Sequence, residues 1–174
     1  MRLKVCTDTH RAAPRGVGNT KYIGNYAAVM VAEAEARQEG FNAVVFLDAK
    51  QDEFIEEVGA ANFFCIKDNV LMTPQLGSIL PGVTRGSILR LAKEVLGLEI
   101  IEKQISIDEA LEADECFCGG TAAVISPIGT INYQGQEVVF NHNEVGPVTQ
   151  KLYEELTAIQ TGEKADPYGW VERA

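Results

Sequence analysis

One lysine sits in a loop of glycine and asparagine, Gly18-Asn19-Thr20-Lys21-Tyr22-Ile23-Gly24-Asn25-Tyr26. Partial loss of water at such a position makes an amine available for Schiff-base chemistry; the bland alternative is a solvated surface lysine. Pro81-Gly82-Val83-Thr84 leads into a helical pattern. Orphan N–H groups at a helix start favour an anion, although Thr84 would equally serve as a plain N-cap. Gly119-Gly120-Thr121 stands between two strand-like runs. Glycine lets a ligand approach the main chain, and a tight turn or bulge is the competing reading. Glu57 lies in Ile55-Glu56-Glu57-Val58-Gly59-Ala60-Ala61-Asn62. A carboxylate entering an apolar strand region needs a cationic or protonated partner, for which a pyridinium nitrogen would serve; an exposed loop glutamate is the plainer reading.

These residues need elements to hold them. Leu3 to Thr7 reads as a strand, and Asn25 as the cap of a helix over Tyr26–Ala36 that Gly40 stops. Ala43–Leu47 is an apolar run of strand length. Phe63–Ile66 and Val70–Met72 form a hairpin around Lys67-Asp68-Asn69. Ile88, Leu91, Ala92 and Val95 recur at helical spacing after Pro81–Thr84. Leu98–Ile107 alternates, Ile107–Ala113 reads as a short helix, and Glu115–Cys118 and Ala122–Ser126 read as strands. A hairpin at Gln134-Gly135 and an amphipathic helix over Pro147–Gln160 complete the chain, with Val148, Leu152, Leu156 and Ile159 on one face. Strands and helices alternate irregularly, which predicts an α/β or α+β domain.

The 174 residues carry 15 Lys and Arg against 25 Asp and Glu, a net charge of −10, with 46% apolar residues. That length suits one domain with a real core. No apolar run approaches a membrane span, the start has no secretory signal, and no basic stripe suits nucleic acid. A cytoplasmic location is expected. Cys6, Cys65, Cys116 and Cys118 form no C-x-x-C pair, and His10 and His142 are the only histidines. Reduced structural thiols are expected, and no metal site.

Taken together, Lys21-x-x-x-Asn25-Tyr26, Glu57-Val58-Gly59-x-x-Asn62, Leu80-Pro81-Gly82-Val83-Thr84-Arg85 and Gly120-Thr121-Ala122-Ala123 resemble the branched-chain aminotransferases. These are fold-type IV enzymes dependent on pyridoxal 5′-phosphate. The order and separations agree across nearly the whole chain, through Ile159-Gln160-Thr161-Gly162 and Trp170. The resemblance implies an irregular, barrel-like sheet flanked by helices, and transfer of an amino group from leucine, isoleucine or valine to 2-oxoglutarate. It implies that Lys21 holds the cofactor as a Schiff base and shuttles the substrate α-proton. Tyr26 would bond the ring's phenolic oxygen, and Glu57 would pair with the ring nitrogen. Val83, Thr84 and Thr121 would receive the phosphate; Gly120, Thr121 and Ala122 would meet the substrate carboxylate. Arg11 matches an arginine found near the cofactor in the family.

The resemblance also implies that residues 1–174 are a single cofactor-binding C-terminal domain, without the smaller N-terminal domain of the family. Such a chain is expected to have little or no activity alone, and the family is commonly a homodimer. Ala60 and Ala61 stand where the family often has a hydroxyl residue, and Gly119 replaces a usual Ser or Thr. Ala122-Ala123-Val124-Ile125 lacks the redox cysteine pair of some relatives. The alternatives are a D-amino-acid aminotransferase or aminodeoxychorismate lyase of the same fold, or a catalytically silent assembly domain.

Overall fold

The computed structural model describes residues 1–172. Ten strands alternate with four helices: β1 Arg2–Cys6, α1 Gly24–Gln38, β2 Ala43–Leu47, β3 Ile55–Val58, β4 Ala61–Lys67 and β5 Val70–Pro74 come first. They are followed by α2 Val83–Glu94, β6 Glu99–Lys103, α3 Ile107–Leu111, β7 Glu115–Gly120, β8 Val124–Ile128, β9 Thr130–Tyr133, β10 Gln136–Val139 and α4 Pro147–Thr161. The strands form one sheet in the order β10-β9-β1-β2-β3-β4-β5-β6, with β7 branching from β4 to β8. Parallel pairs join β1 to β2 and β9, and β5 to β6; the remaining pairs are antiparallel. Strands β10 and β6 end the main path unjoined, so the sheet curls without closing into a barrel.

Period-two alternation assigns the two faces. Phe63 and Cys65 of β4, with Leu3, Val45, Leu47 and Ile131, fill the concave interior. Phe64 and Ile66 of the same strand point outward and are covered by Ile88 and Leu91 of α2 and Leu152, Leu156 and Ile159 of α4. Phe64 stacks on Phe117, its cross-strand partner in β7, with ring centroids 4.8 Å apart. Val29, Ala32 and Ala36 of α1 cover Val44 and Phe46 of β2 in a third cluster. The alanines bring that helix close to the sheet.

Local turn chemistry explains the two hairpins. Asp68 and Asn69 have φ of 49° and 65°, and Gln134 and Gly135 have 51° and 82°. The left-handed pairs match the twist of the flanking strands. Several boundaries differ from the sequence reading. Asn25 does not cap α1: the helix starts at Gly24 after Ile23, without a side-chain cap. The Asn25 amide instead donates to the carbonyls of Val17 and Thr20, tying down the loop before the helix. Thr84 is likewise no cap, because α2 begins at Val83 with Gly82 ahead of it. Strand β8 begins at Val124 rather than Ala122. Strand β3 is new: Glu56 and Glu57 break the apolar pattern, yet all four of its residues are buried. The four cysteines are free, three of them buried, and burial pushes the Cys65 and Cys118 thiols up to about 12 and about 11.

Candidate functional site

A cavity of about 690 Å³ opens where the β3–β4 hairpin, the start of α2 and the β7–β8 turn converge. Its wall includes Lys21, Tyr26, Glu57, Val83, Thr84 and the stretch Gly119 to Ala123. Every residue to which the resemblance gives a cofactor or substrate role, except Arg11, therefore borders one space. Lys21 is at the rim and exposed, so the partial burial expected of it is absent in this chain. Tyr26, half-buried in the first turn of α1, borders the same cavity and a narrow adjoining recess of about 20 Å³.

Glu57 supplies the buried acid. It is 4% exposed, which overturns its reading as a loop glutamate. The Leu80 N–H donates to its Oε1 at 3.0 Å and the Asn62 amide to the same oxygen at 3.3 Å. Arg11 lies behind it, with Nε 3.1 Å from Glu57 Oε2 and Nη2 3.6 Å from Glu56 Oε2. Arg11 is itself buried and donates to the carbonyls of Gly18 and Ser78. Burial pushes the Glu57 carboxyl up to about 7, against the opposing pull of the Arg11 charge and the Leu80 N–H. Glu56, bonded by the Ser78 hydroxyl, is also raised by burial. Arg11 borders the narrow recess and not the larger cavity, so it reaches the site through Glu57.

The anion-receptive side is the start of α2. Gly82 precedes the helix with no side-chain cap, leaving first-turn N–H groups available at the cavity edge. A Cβ on Gly82 would stand 2.5 Å from Asn62 Oδ1, so a side chain there would require the Asn62 amide to move. Val83 is 86% exposed, so it offers the site its main chain rather than packing. Arg85, buried, donates to the Pro74 carbonyl at 3.0 Å and to Glu102 at 2.6 Å, pinning the first turn of α2 to β5 and β6. Opposite, Gly119 and Gly120 close β7, and Thr121 to Ala123 form the turn into β8. A Cβ on Gly119 would stand 2.5 Å from the Ile88 Cδ1 of α2, so the Ser or Thr usual in the family at this position would require Ile88 to shift.

Two participants carried no role in the sequence reading. Asn62 joins Glu57 to Leu80, and Glu56 shares Arg11 with Glu57. The signal for Asn62 was present: the two-residue spacer Gly59-Ala60 makes a tight hairpin that sets Glu57 opposite Asn62. As a whole the site offers an amine, a buried acid with a displaced titration, and two sets of main-chain donors around one space. That combination suits a ligand with an electrophilic carbon, a basic ring atom and an anionic group.

Comparison with known proteins gives a consistent picture. The family model described as amino-transferase class IV matches residues 1–131. The chain is 44% identical over 171 residues to branched-chain amino acid aminotransferase 2, chloroplastic, of Humulus lupulus, covering 98% of this chain and 42% of that protein. It is 48% identical over 167 residues to a probable branched-chain-amino-acid aminotransferase of Staphylococcus aureus (strain N315), covering 92% of this chain and 46% of that one. Among solved structures, branched-chain amino acid aminotransferase from Escherichia coli superposes with a TM-score of 0.88 at 35% identity, over 99% of this chain and 57% of that one. The T.th. branched-chain amino acid aminotransferase with pyridoxamine 5′-phosphate gives 0.88 at 29% identity, over 98% and 55%. The chain spans less than half the length of these curated relatives.

Proposed function

Since the chain belongs to the class IV aminotransferases, we propose that it forms the cofactor-binding part of a pyridoxal phosphate enzyme. The reaction is amino-group transfer between leucine, isoleucine or valine and 2-oxoglutarate. The carrying observation is the convergence of Lys21, Glu57, the uncapped start of α2 and the Gly120–Thr121 turn on one cavity. The similarity to branched-chain enzymes supports the substrate class.

The residues fit the group. Glu57 is a buried carboxyl whose titration is raised to about 7 even beside Arg11, so it can share a proton with a basic ring nitrogen. Gly82 precedes α2 without a side-chain cap, close against Asn62, which leaves the α2 main chain bare for a phosphate. Pyridoxal phosphate, when bound, supplies the electron sink that makes the substrate α-proton removable. Lys21 would hold the cofactor and move that proton; its exposed position at the rim gives it access to incoming amino acid. Tyr26 would donate to or accept from the ring's phenolic oxygen. Val83 and Thr84 would receive the phosphate through N–H groups and the Thr84 hydroxyl, with Thr121 adding a second hydroxyl. The amides of Gly120, Thr121 and Ala122 would orient the substrate carboxylate. Arg11 would keep Glu57 in place and balance its charge.

Residues 1–174 form on this reading one cofactor domain that works with further chain as a cytoplasmic homodimer, with little or no turnover by itself. Titrating pyridoxal phosphate into the chain should raise an absorbance band at about 400 nm that Lys21→Ala abolishes. An identical band in wild type and variant would remove Lys21 from its role. A panel of L-leucine, D-alanine and aminodeoxychorismate on a chain extended to the length of its relatives separates the branched-chain reading from its nearest rivals. No band and no turnover in the extended chain would leave a silent assembly domain.

A further inference from the structure

We propose that Asn62 is a positioning residue that ties the two ends of the cofactor site together, holding the acid for the ring nitrogen at a fixed distance from the main chain for the phosphate. This rests on the pyridoxal phosphate reading above. Asn62 is 5% exposed and is the second residue of β4, directly across from Glu57. Its amide nitrogen donates to Glu57 Oε1 at 3.3 Å and to the Leu80 carbonyl at 3.0 Å. Both acceptors are oxygens, so the amide orientation is fixed by its partners. The Leu80 N–H returns to Glu57 Oε1 at 3.0 Å, and the Gly82 N–H donates to the Leu80 carbonyl at 2.8 Å.

The result is a closed ring of hydrogen bonds. It runs from the strand that carries the acid, through one amide, into the three residues that end as the start of α2. A Cβ built on Gly82 would stand 2.5 Å from the Asn62 Oδ1, so Asn62 packs directly against the residue that precedes α2. Asn62 thus contacts both halves of the site. A rigid ligand with a basic ring atom at one end and a phosphate at the other gains from both contacts only if their separation is preset. No other side chain of the described residues bonds both Glu57 and the Leu80–Gly82 segment.

Asn62→Ala and Asn62→Ser test this in the full chain. Serine keeps one donor but cannot reach both acceptors, and it covers the case in which the alanine variant fails to fold. Without any ligand, amide hydrogen exchange at Leu80 and Gly82 should quicken roughly tenfold or more, while Leu71 in β5 stays unchanged. Unaltered exchange at Leu80 overturns the tie, whatever the ligand data show. With ligands, pyridoxal phosphate should bind roughly tenfold or more weakly, while pyridoxal and inorganic phosphate, each engaging one end, should change by less than about threefold. Equal weakening of all three, or unchanged binding of pyridoxal phosphate, overturns the positioning role. A wild-type chain that binds none of the three, with the exchange result intact, strikes the proposed function and the cofactor role of Asn62, but not the tie itself.

Discussion

Glu57 carries the clearest consequence of a single residue's surroundings. Its folded value of about 7 stands above the ordinary 4.5, so the folded chain holds that proton more tightly than the unfolded one. The associated stability is fully present below about pH 4.5 and is lost as pH rises through about 7, by at most about 3 kcal/mol. Glu57→Gln, measured without cofactor, should therefore melt near the wild-type temperature at about pH 5 and above it at about pH 8.5. A difference that ignores pH would mean that the carboxyl is solvated. Arg11 belongs to the same cluster. Arg11→Met leaves Glu56 and Glu57 buried without their counter-charge, and urea unfolding should register a loss of about 3–5 kcal/mol. A loss under about 1 kcal/mol would show that the guanidinium is not needed to hold the two acids.

Among the elements, α4 shows how a strand can hold a helix. Its first-turn N–H groups of Val148 and Thr149 donate to Glu115 of β7 at 3.0 and 2.9 Å, and the Thr149 hydroxyl adds a third bond at 2.8 Å. This carboxylate does the work of a cap from across the fold. Glu115→Ala should lower the urea midpoint by an amount worth about 1–3 kcal/mol, and a neutral outcome would leave α4 held by its apolar face alone. No pattern near Pro147 announces this cap, because its source lies 33 residues away. The same distance rule divides what the sequence could reveal. Hairpins at 67–69 and 134–135 were legible because Asp, Asn and Gly fix them locally. The buried faces of α2 and α4 were legible from spacing. Strand β3 was not, since two adjacent acids interrupt its apolar run and are accommodated only when Arg11 arrives from another part of the chain. The cavity residues were picked out through a family likeness, while their convergence and the part played by Asn62 needed the hairpin register.

At the scale of the molecule, the helices do not bury all their apolar surface. Along α1 and its approach, Ile23, Met30 and Val31 are 82%, 70% and 61% exposed, and the exposed Ala27 and Ala34 continue the same helical face. An apolar patch left open in this way binds amphipathic dyes. The isolated chain should enhance anilinonaphthalene sulfonate fluorescence, and the pair Met30→Lys and Val31→Lys should reduce it with circular dichroism unchanged. Equal dye binding by the variant would place the exposed patch elsewhere.

The position of β1 has a further outcome during synthesis. Its neighbour β2 follows soon after α1, so one side of Leu3–Val5 is satisfied early. The other side waits for β9, which is not made until the nascent polypeptide has reached Tyr133. Between the synthesis of β2 and that of β9 the strand therefore keeps one edge of unpaired N–H and C=O groups, open to chaperone capture or to premature pairing between neighbouring nascent chains.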